Sequence, residues 1–136
     1  MKDFVNKIIT TPFIEGGRDY SGCDCWGLIL LAYRDVLGVE IPNYENVFYS
    51  GQESLVSVSE EIEQIKSCQS VFREVANPQK GDIVFFNMLG RPIHVGFVID
   101  EKTMIHTSKT SGVAIENYRS PKWSKRLQAF YRHKTM

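Results

Sequence analysis

Apolar residues recur at helical spacing through Trp26, Ile29, Leu30, Tyr33 and Leu37, with Asp24 at the N-cap position before them and Gly38 where the run stops. That pattern predicts a core helix. Upstream, residues 3–11 predict a short amphipathic helix ended by Pro12, and residues 12–23 a loop in which Gly16 and Gly17 permit close backbone approach. Downstream, residues 39–44 are extended because Pro42 and its predecessor cannot be helical. Leu55, Val58, Ile62 and Ile65 then fit a second amphipathic helix. Its acidic face, with Glu60, Glu61 and Glu63, reads as a solvated surface rather than a metal site.

From Pro78 the period changes from helical to alternating. Residues 83–86, 94–99, 104–107, 113–116 and 127–132 read as strands separated by turn residues, which predicts an antiparallel sheet and an α+β fold. The connection Asp100-Glu101-Lys102-Thr103 makes a hairpin and sets the strands carrying His94 and His106 side by side. Alternation puts His94, Gly96 and Val98 on one face and Val95, Phe97 and Ile99 on the other. For His94 and His106 to share a face, that hairpin needs an odd connection or a bulge. Gly96, lacking a side chain, is expected to leave room beside His94.

Composition narrows the class. The chain has 136 residues, 43% hydrophobic and 24% charged, which suits one domain spanning residues 1–136. Sixteen basic residues balance sixteen acidic ones with no long block of either sign, so neither nucleic acid nor an anionic membrane is an expected partner. An uneven count of 3 cysteines argues against a disulfide framework. Asp3 and polar neighbours interrupt the start where an export signal needs an apolar run, and no later stretch reaches membrane-span length. The expectation is a soluble product made in the cytoplasm without a signal peptide.

The chemistry centres on Cys25. It falls in the first turn of the predicted core helix, where unpaired N–H groups and the helix dipole favour thiolate over thiol. A cysteine there is most often a packing residue. His94 and His106 change the balance, because a nucleophilic cysteine needs a base and the base needs a third group, both usually from distant sequence. Zinc binding by Cys23, Cys25, Cys68, His94 and His106 is the weaker reading, since neither the cysteine nor the histidine spacing matches a knuckle. Cys23 is expected to pack in its loop, Cys68 to sit at a helix end, and His133 to be solvated. Trp123 is expected to anchor the fold in preference to flanking a cleft.

Phe13-Ile14-Glu15-Gly16-Gly17, Asp24-Cys25-Trp26-Gly27-Leu28, Gly81-Asp82-Ile83-Val84-Phe85, His94-Val95-Gly96 and Ile105-His106 together resemble the NlpC-type cell-wall cysteine peptidases. Trp26 and the loop Gly16-Gly17-Arg18-Asp19 look most like the branch found among tail proteins of phages and prophages. The resemblance implies a circularly permuted papain-like fold with the nucleophile helix packed on an antiparallel sheet. It implies hydrolysis of peptidoglycan stem peptides, commonly after D-glutamate, with no metal or organic cofactor. The implied partners are the stem peptide and phage tail proteins, and the implied location is the virion.

Carried over residue by residue, the resemblance makes Cys25 the nucleophile, His94 the general base and acid, and His106 the group that orients His94. Asp24, Trp26 and Gly96 become candidates for the substrate side of the site. One position departs. The family usually has a tyrosine twelve residues before the nucleophile, and here that residue is Phe13, so an oxyanion donor is missing. Tyr20 is the alternative donor. The same departure supports a second reading, a non-catalytic tail component of the same fold; a third reading keeps the nucleophile but transfers the acyl group to an amine or lipid instead of water.

Overall fold

Seven of the eight residues of helix α2 (Cys25–Ala32) are buried, so this helix is apolar on every side and belongs inside the molecule. The computed structural model describes residues 1–43, 71–88 and 91–136. The helix expected around Leu55–Ile65, and Cys68, lie outside the described residues. In chain order the elements are α1 (Lys2–Ile8), a small hairpin of β1 (Arg18–Asp19) and β2 (Gly22–Cys23), α2, and a π-helical turn (Tyr33–Leu37). Strands β3 (Phe72–Val75), β4 (Ile83–Met88), β5 (Arg91–Val98), β6 (Thr103–Ser108) and β7 (Gly112–Asn117) follow. Helix α3 (Pro121–Ser124) and strand β8 (Leu127–His133) close the fold.

The core helix begins at Asp24, as expected, and the chain turns at Gly38 with φ 68°, a left-handed conformation that glycine adopts without strain. Between them the helix loosens at Tyr33, whose hydroxyl donates to the Gly81 carbonyl at 2.5 Å and ties α2 to the start of β4.

The six-stranded sheet runs β3-β8-β4-β5-β6-β7, and every neighbouring pair is antiparallel. Its two faces are covered differently. Ile83, Phe85, Val95, Phe97 and Ile105 pack with Trp26, Leu28, Ile29 and Tyr33 of the helical side and with Phe4 and Ile8 of α1. Val84, Phe86, Val98 and Met104 pack with Tyr118, Trp123 and Phe130. Burial on both sides explains why Ile83-Val84-Phe85-Phe86 is a continuous apolar run instead of an alternating one. The result is the mixed α+β arrangement of a helix packed on an antiparallel sheet.

One strand is added to those expected, and one expectation is corrected. Strand β3 was not foreseen, because Phe72-Arg73-Glu74-Val75 lies at the sheet edge and shows little apolar character. His133 is not solvated: it is 9% exposed, its ring lies against Tyr33 and Phe72, and burial lowers its pKa. The base of the sheet holds a buried ion pair in which Arg132 donates to both oxygens of the fully enclosed Asp82, at 2.8 and 2.9 Å.

Candidate active site

The first turn of α2 is held by one carboxylate. Asp24 Oδ1 accepts from the Gly27 N–H at 2.8 Å and from Arg18 at 2.6 Å, while Oδ2 accepts from the Gly16 N–H at 2.9 Å. Helix, arm and loop thus meet on the residue preceding Cys25. Close approach is possible because the loop and helix carry Gly17 and Gly27, where a Cβ would collide with the Gly22 and Gly17 carbonyls respectively.

Cys25 is 6% exposed. Burial pushes its thiol well above the ordinary value, and the neighbouring Asp24 charge adds to that. The backbone N–H groups of Val95 and Trp26 act in the opposite direction without reversing the balance. The expectation that the helix start would favour thiolate is therefore corrected: desolvation outweighs the dipole. Cys23 is also buried, and its thiol is pushed up to about 12 by desolvation.

The Val95 N–H that acts on the thiol belongs to the residue after His94, and β5 packs against the nucleophile helix. Strands β5 and β6 pair through Phe97↔Ile105 and Val98↔Met104, which leaves Ile99 to Thr103 as an odd connection of five residues. His94 and His106 consequently share a face, one step off the direct pairing. His94 Nε2 and His106 Nδ1 are 2.7 Å apart. His106 Nε2 then meets Glu116 Oε2 of β7 at 2.5 Å. In β6–β7 pairing, His106 lies opposite Ala114 and Glu116 opposite Met104, so the three side chains form a diagonal across three strands.

Trp123 of α3 covers this diagonal. Its indole stacks on His94 with centroids 5.5 Å apart and meets the edge of His106 at 5.0 Å. The indole N–H lies near the Glu116 carboxylate but short of hydrogen-bond geometry. Burial, then His106 and Lys122, lowers His94 to a pKa of about 3. Burial also lowers His106, although Glu116 acts against it. Burial works to raise Glu116, but the hydrogen bond from His106, the indole and Lys122 outweigh it and hold the carboxyl below its usual range. Lys122 Nζ stands 3.8 Å from Glu116 Oε1.

The remaining candidates are placed as follows. Phe13 is half-buried, and its backbone bridges to Cys23, two residues before the sulfur. Tyr20 does not present its hydroxyl as a free donor, because the proton goes to Asp35 Oδ2 at 2.5 Å. Asp24 is fully enclosed and caps α2 through the contacts above. Trp26 is likewise core: its indole N–H donates to the Pro42 carbonyl at 3.0 Å and its ring meets Phe72 edge-on. Gly96 leaves no vacancy, since a Cβ there would stand 2.6 Å from Met104 Sδ and 3.2 Å from Val84.

Glu116 and the covering role of Trp123 were missed. The available signal for Glu116 was its parity: in a hairpin closed by the turn at Gly112, an acidic residue two positions beyond Ala114 returns to the face of His106.

A buried thiol at a helix start, beside strands that hold two histidines in hydrogen-bond contact, is the arrangement of a papain-like fold. Residues 10–132 match the NlpC/P60 family, and the chain belongs to it. It is 32% identical over 111 residues to the murein DD-endopeptidase MepS/murein LD-carboxypeptidase of Escherichia coli strain K12, a match covering 82% of this chain and 50% of that protein. The chain thus spans about half the length of this curated relative. Among solved structures, the NlpC/p60 domain of the peptidoglycan hydrolase SagA superposes with a TM-score of 0.59 at 22% identity, covering 95% of this chain and 92% of that one. A lipoprotein-like NLP/P60 family protein of Staphylococcus aureus superposes with a TM-score of 0.64 at 19% identity, covering 97% of this chain and 39% of that one. At these identities the likeness speaks for the fold.

Proposed function

We propose that this protein is a thiol peptidase that hydrolyses peptide bonds in the stem peptides of peptidoglycan, with Cys25 as nucleophile, His94 as base and acid, and His106 as its orienting partner. The observation that carries this reading is the 2.7 Å contact between His94 Nε2 and His106 Nδ1, on two strands that pack beside the helix beginning at Cys25. The substrate class follows from the family and from the name of the E. coli relative.

Burial favours the neutral thiol and neutral imidazole over the ion pair, so proton transfer accompanies attack. His94 takes the Cys25 proton as sulfur bonds to the carbonyl carbon, and the resulting oxyanion meets the helix-start N–H groups. His94 then gives the proton to the departing amine. Water, deprotonated by the same imidazole, releases the acyl group from sulfur.

The bond after D-glutamate is the one the motifs favour; the relative's name points instead to DD-endopeptidase and LD-carboxypeptidase bonds. Digestion of purified muropeptides, followed by mass spectrometry, separates these outcomes. Cleavage by wild type and none by Cys25→Ala is the expected result. No cleavage of any stem peptide by a folded wild type would overturn the reading.

A phage or prophage tail origin is the finer part of this proposal, supported by the loop Gly16-Gly17-Arg18-Asp19 and by Trp26. Detection of the chain in purified virions would support it. Phe13 favours one second reading, a tail component of the same fold with reduced or lost catalysis.

A further inference from the structure

We infer that Glu116 is a positioning residue for catalysis, fixing the tautomer of His106 and through it the free nitrogen of His94. This rests on the peptidase reading above and deepens it. The geometry is sequential. Glu116 Oε2 and His106 Nε2 are 2.5 Å apart, and a carboxylate can only accept, so Nε2 of His106 carries the proton. Its Nδ1 is then the acceptor, and the 2.7 Å contact requires His94 to donate from Nε2. A neutral His94 with its proton on Nε2 has a lone pair on Nδ1. That is the one nitrogen left to receive the Cys25 proton. The opposite tautomer of His106 would turn both links around and leave His94 protonated on the wrong nitrogen.

The surroundings support an ionised Glu116. Its side chain is 29% exposed, and Lys122 stands 3.8 Å from the other oxygen, so the carboxylate is reachable by water and paired on both sides. The charged and titratable groups of the diagonal and against it are His94, His106 and Glu116 from successive strands and Lys122 from α3. When His94 becomes imidazolium during attack, Glu116 supplies the compensating negative charge two hydrogen bonds away. Nothing else among these groups is anionic.

Glu116→Gln keeps the size and an acceptor oxygen but removes the charge, and Glu116→Ala removes both. Expected for Glu116→Gln is a fall in kcat/KM of about tenfold on a muropeptide, with KM little changed and the acidic limb of the profile moved to lower pH. Glu116→Ala should fall further, and Glu116→Asp should recover charge but not reach. Nitrogen-15 spectra of the histidine rings give a readout independent of turnover. Wild type should show His106 protonated on Nε2 and His94 on Nε2, and Glu116→Ala should lose that single pattern. Unchanged ring spectra together with an unchanged pH profile in folded Glu116→Ala would overturn the inference. If wild type cleaves no stem peptide, the peptidase reading falls while the ring spectra still decide the tautomer.

Discussion

The Trp123 indole lies over the His94 imidazole, 19° from parallel, and the same ring meets His106 edge-on. One side chain from a four-residue helix therefore shields the hydrogen bond between the two histidines from water. Trp123→Phe should preserve most of the shield and most of the turnover. Trp123→Ala should cost about 3–5 kcal/mol of stability by cavity formation and lower turnover more steeply than the loss of folded protein accounts for. Denaturant unfolding beside active-site titration of Cys25 measures both.

Stability should fall on acidification through the histidine range. His94 ionises near its ordinary value of 6.5 in the unfolded chain and at about 3 in the fold, so the native state binds fewer protons between those limits. The stabilisation is complete above pH 6.5 and is lost as pH falls toward 3. His106, lowered in the same direction, adds to the slope. Each should contribute up to about 1.4 kcal/mol per pH unit within its window. Urea titrations from pH 7 to 4 should show a shallower dependence in His94→Gln; an equal slope would assign the effect elsewhere.

Cys25 should alkylate slowly at neutral pH. Because burial raises its thiol, the thiolate fraction is below that of a free cysteine, and the iodoacetamide rate should climb only toward alkaline pH. Peptide mapping distinguishes it from Cys23, which is also raised by burial. Fast labelling of Cys25 at pH 6 would mean that the resting state is the ion pair after all.

Asp82 and Arg132 form a pair whose halves depend on one another. Asp82→Ala strands a guanidinium that now bonds both carboxylate oxygens, and the loss should be about 3–5 kcal/mol. The double variant Asp82→Ala, Arg132→Met should recover part of it, which thermal melts of the four-member cycle would show. Turnover per folded molecule should stay near wild type in all four.

Phe13→Tyr should raise turnover by about tenfold if oxyanion stabilisation limits the rate, since one donor is often worth that much or more. Phe13 is half-buried, so the added hydroxyl need not be forced into the core. Steady-state kinetics on a muropeptide compares the two. An unchanged rate would mean the helix-start N–H groups suffice, because Tyr20 is engaged with Asp35.

What the sequence disclosed was whatever periodicity controls. The Asp24 cap, the stop at Gly38 and the antiparallel strands follow from local spacing, whereas the shared face of His94 and His106 stood only as a condition on the hairpin that the β5–β6 register meets. What stayed hidden depends on the third dimension. The sign of the Cys25 shift is set by how completely the sheet covers the sulfur, which no first-turn argument contains. Glu116 becomes visible only when β6–β7 register is known, and Trp123 only when α3 folds back over the sheet. Edge strand β3, being polar, lacked the signature of a buried strand.

The connection from Ile99 to Thr103 has a consequence for how this chain can vary. Its Asp100 carboxylate accepts from the N–H groups of Lys102 and Thr103, so the bend is internally braced and lies on the surface. Surface bends ordinarily absorb insertions without harm. Here one added residue would turn His106 through to the opposite side of the sheet, and two would restore it, so the tolerated lengths should all be odd. The bend acts as a counter, and an error in counting would part His106 from His94 and exchange Ile105 and Met104 between the two cores.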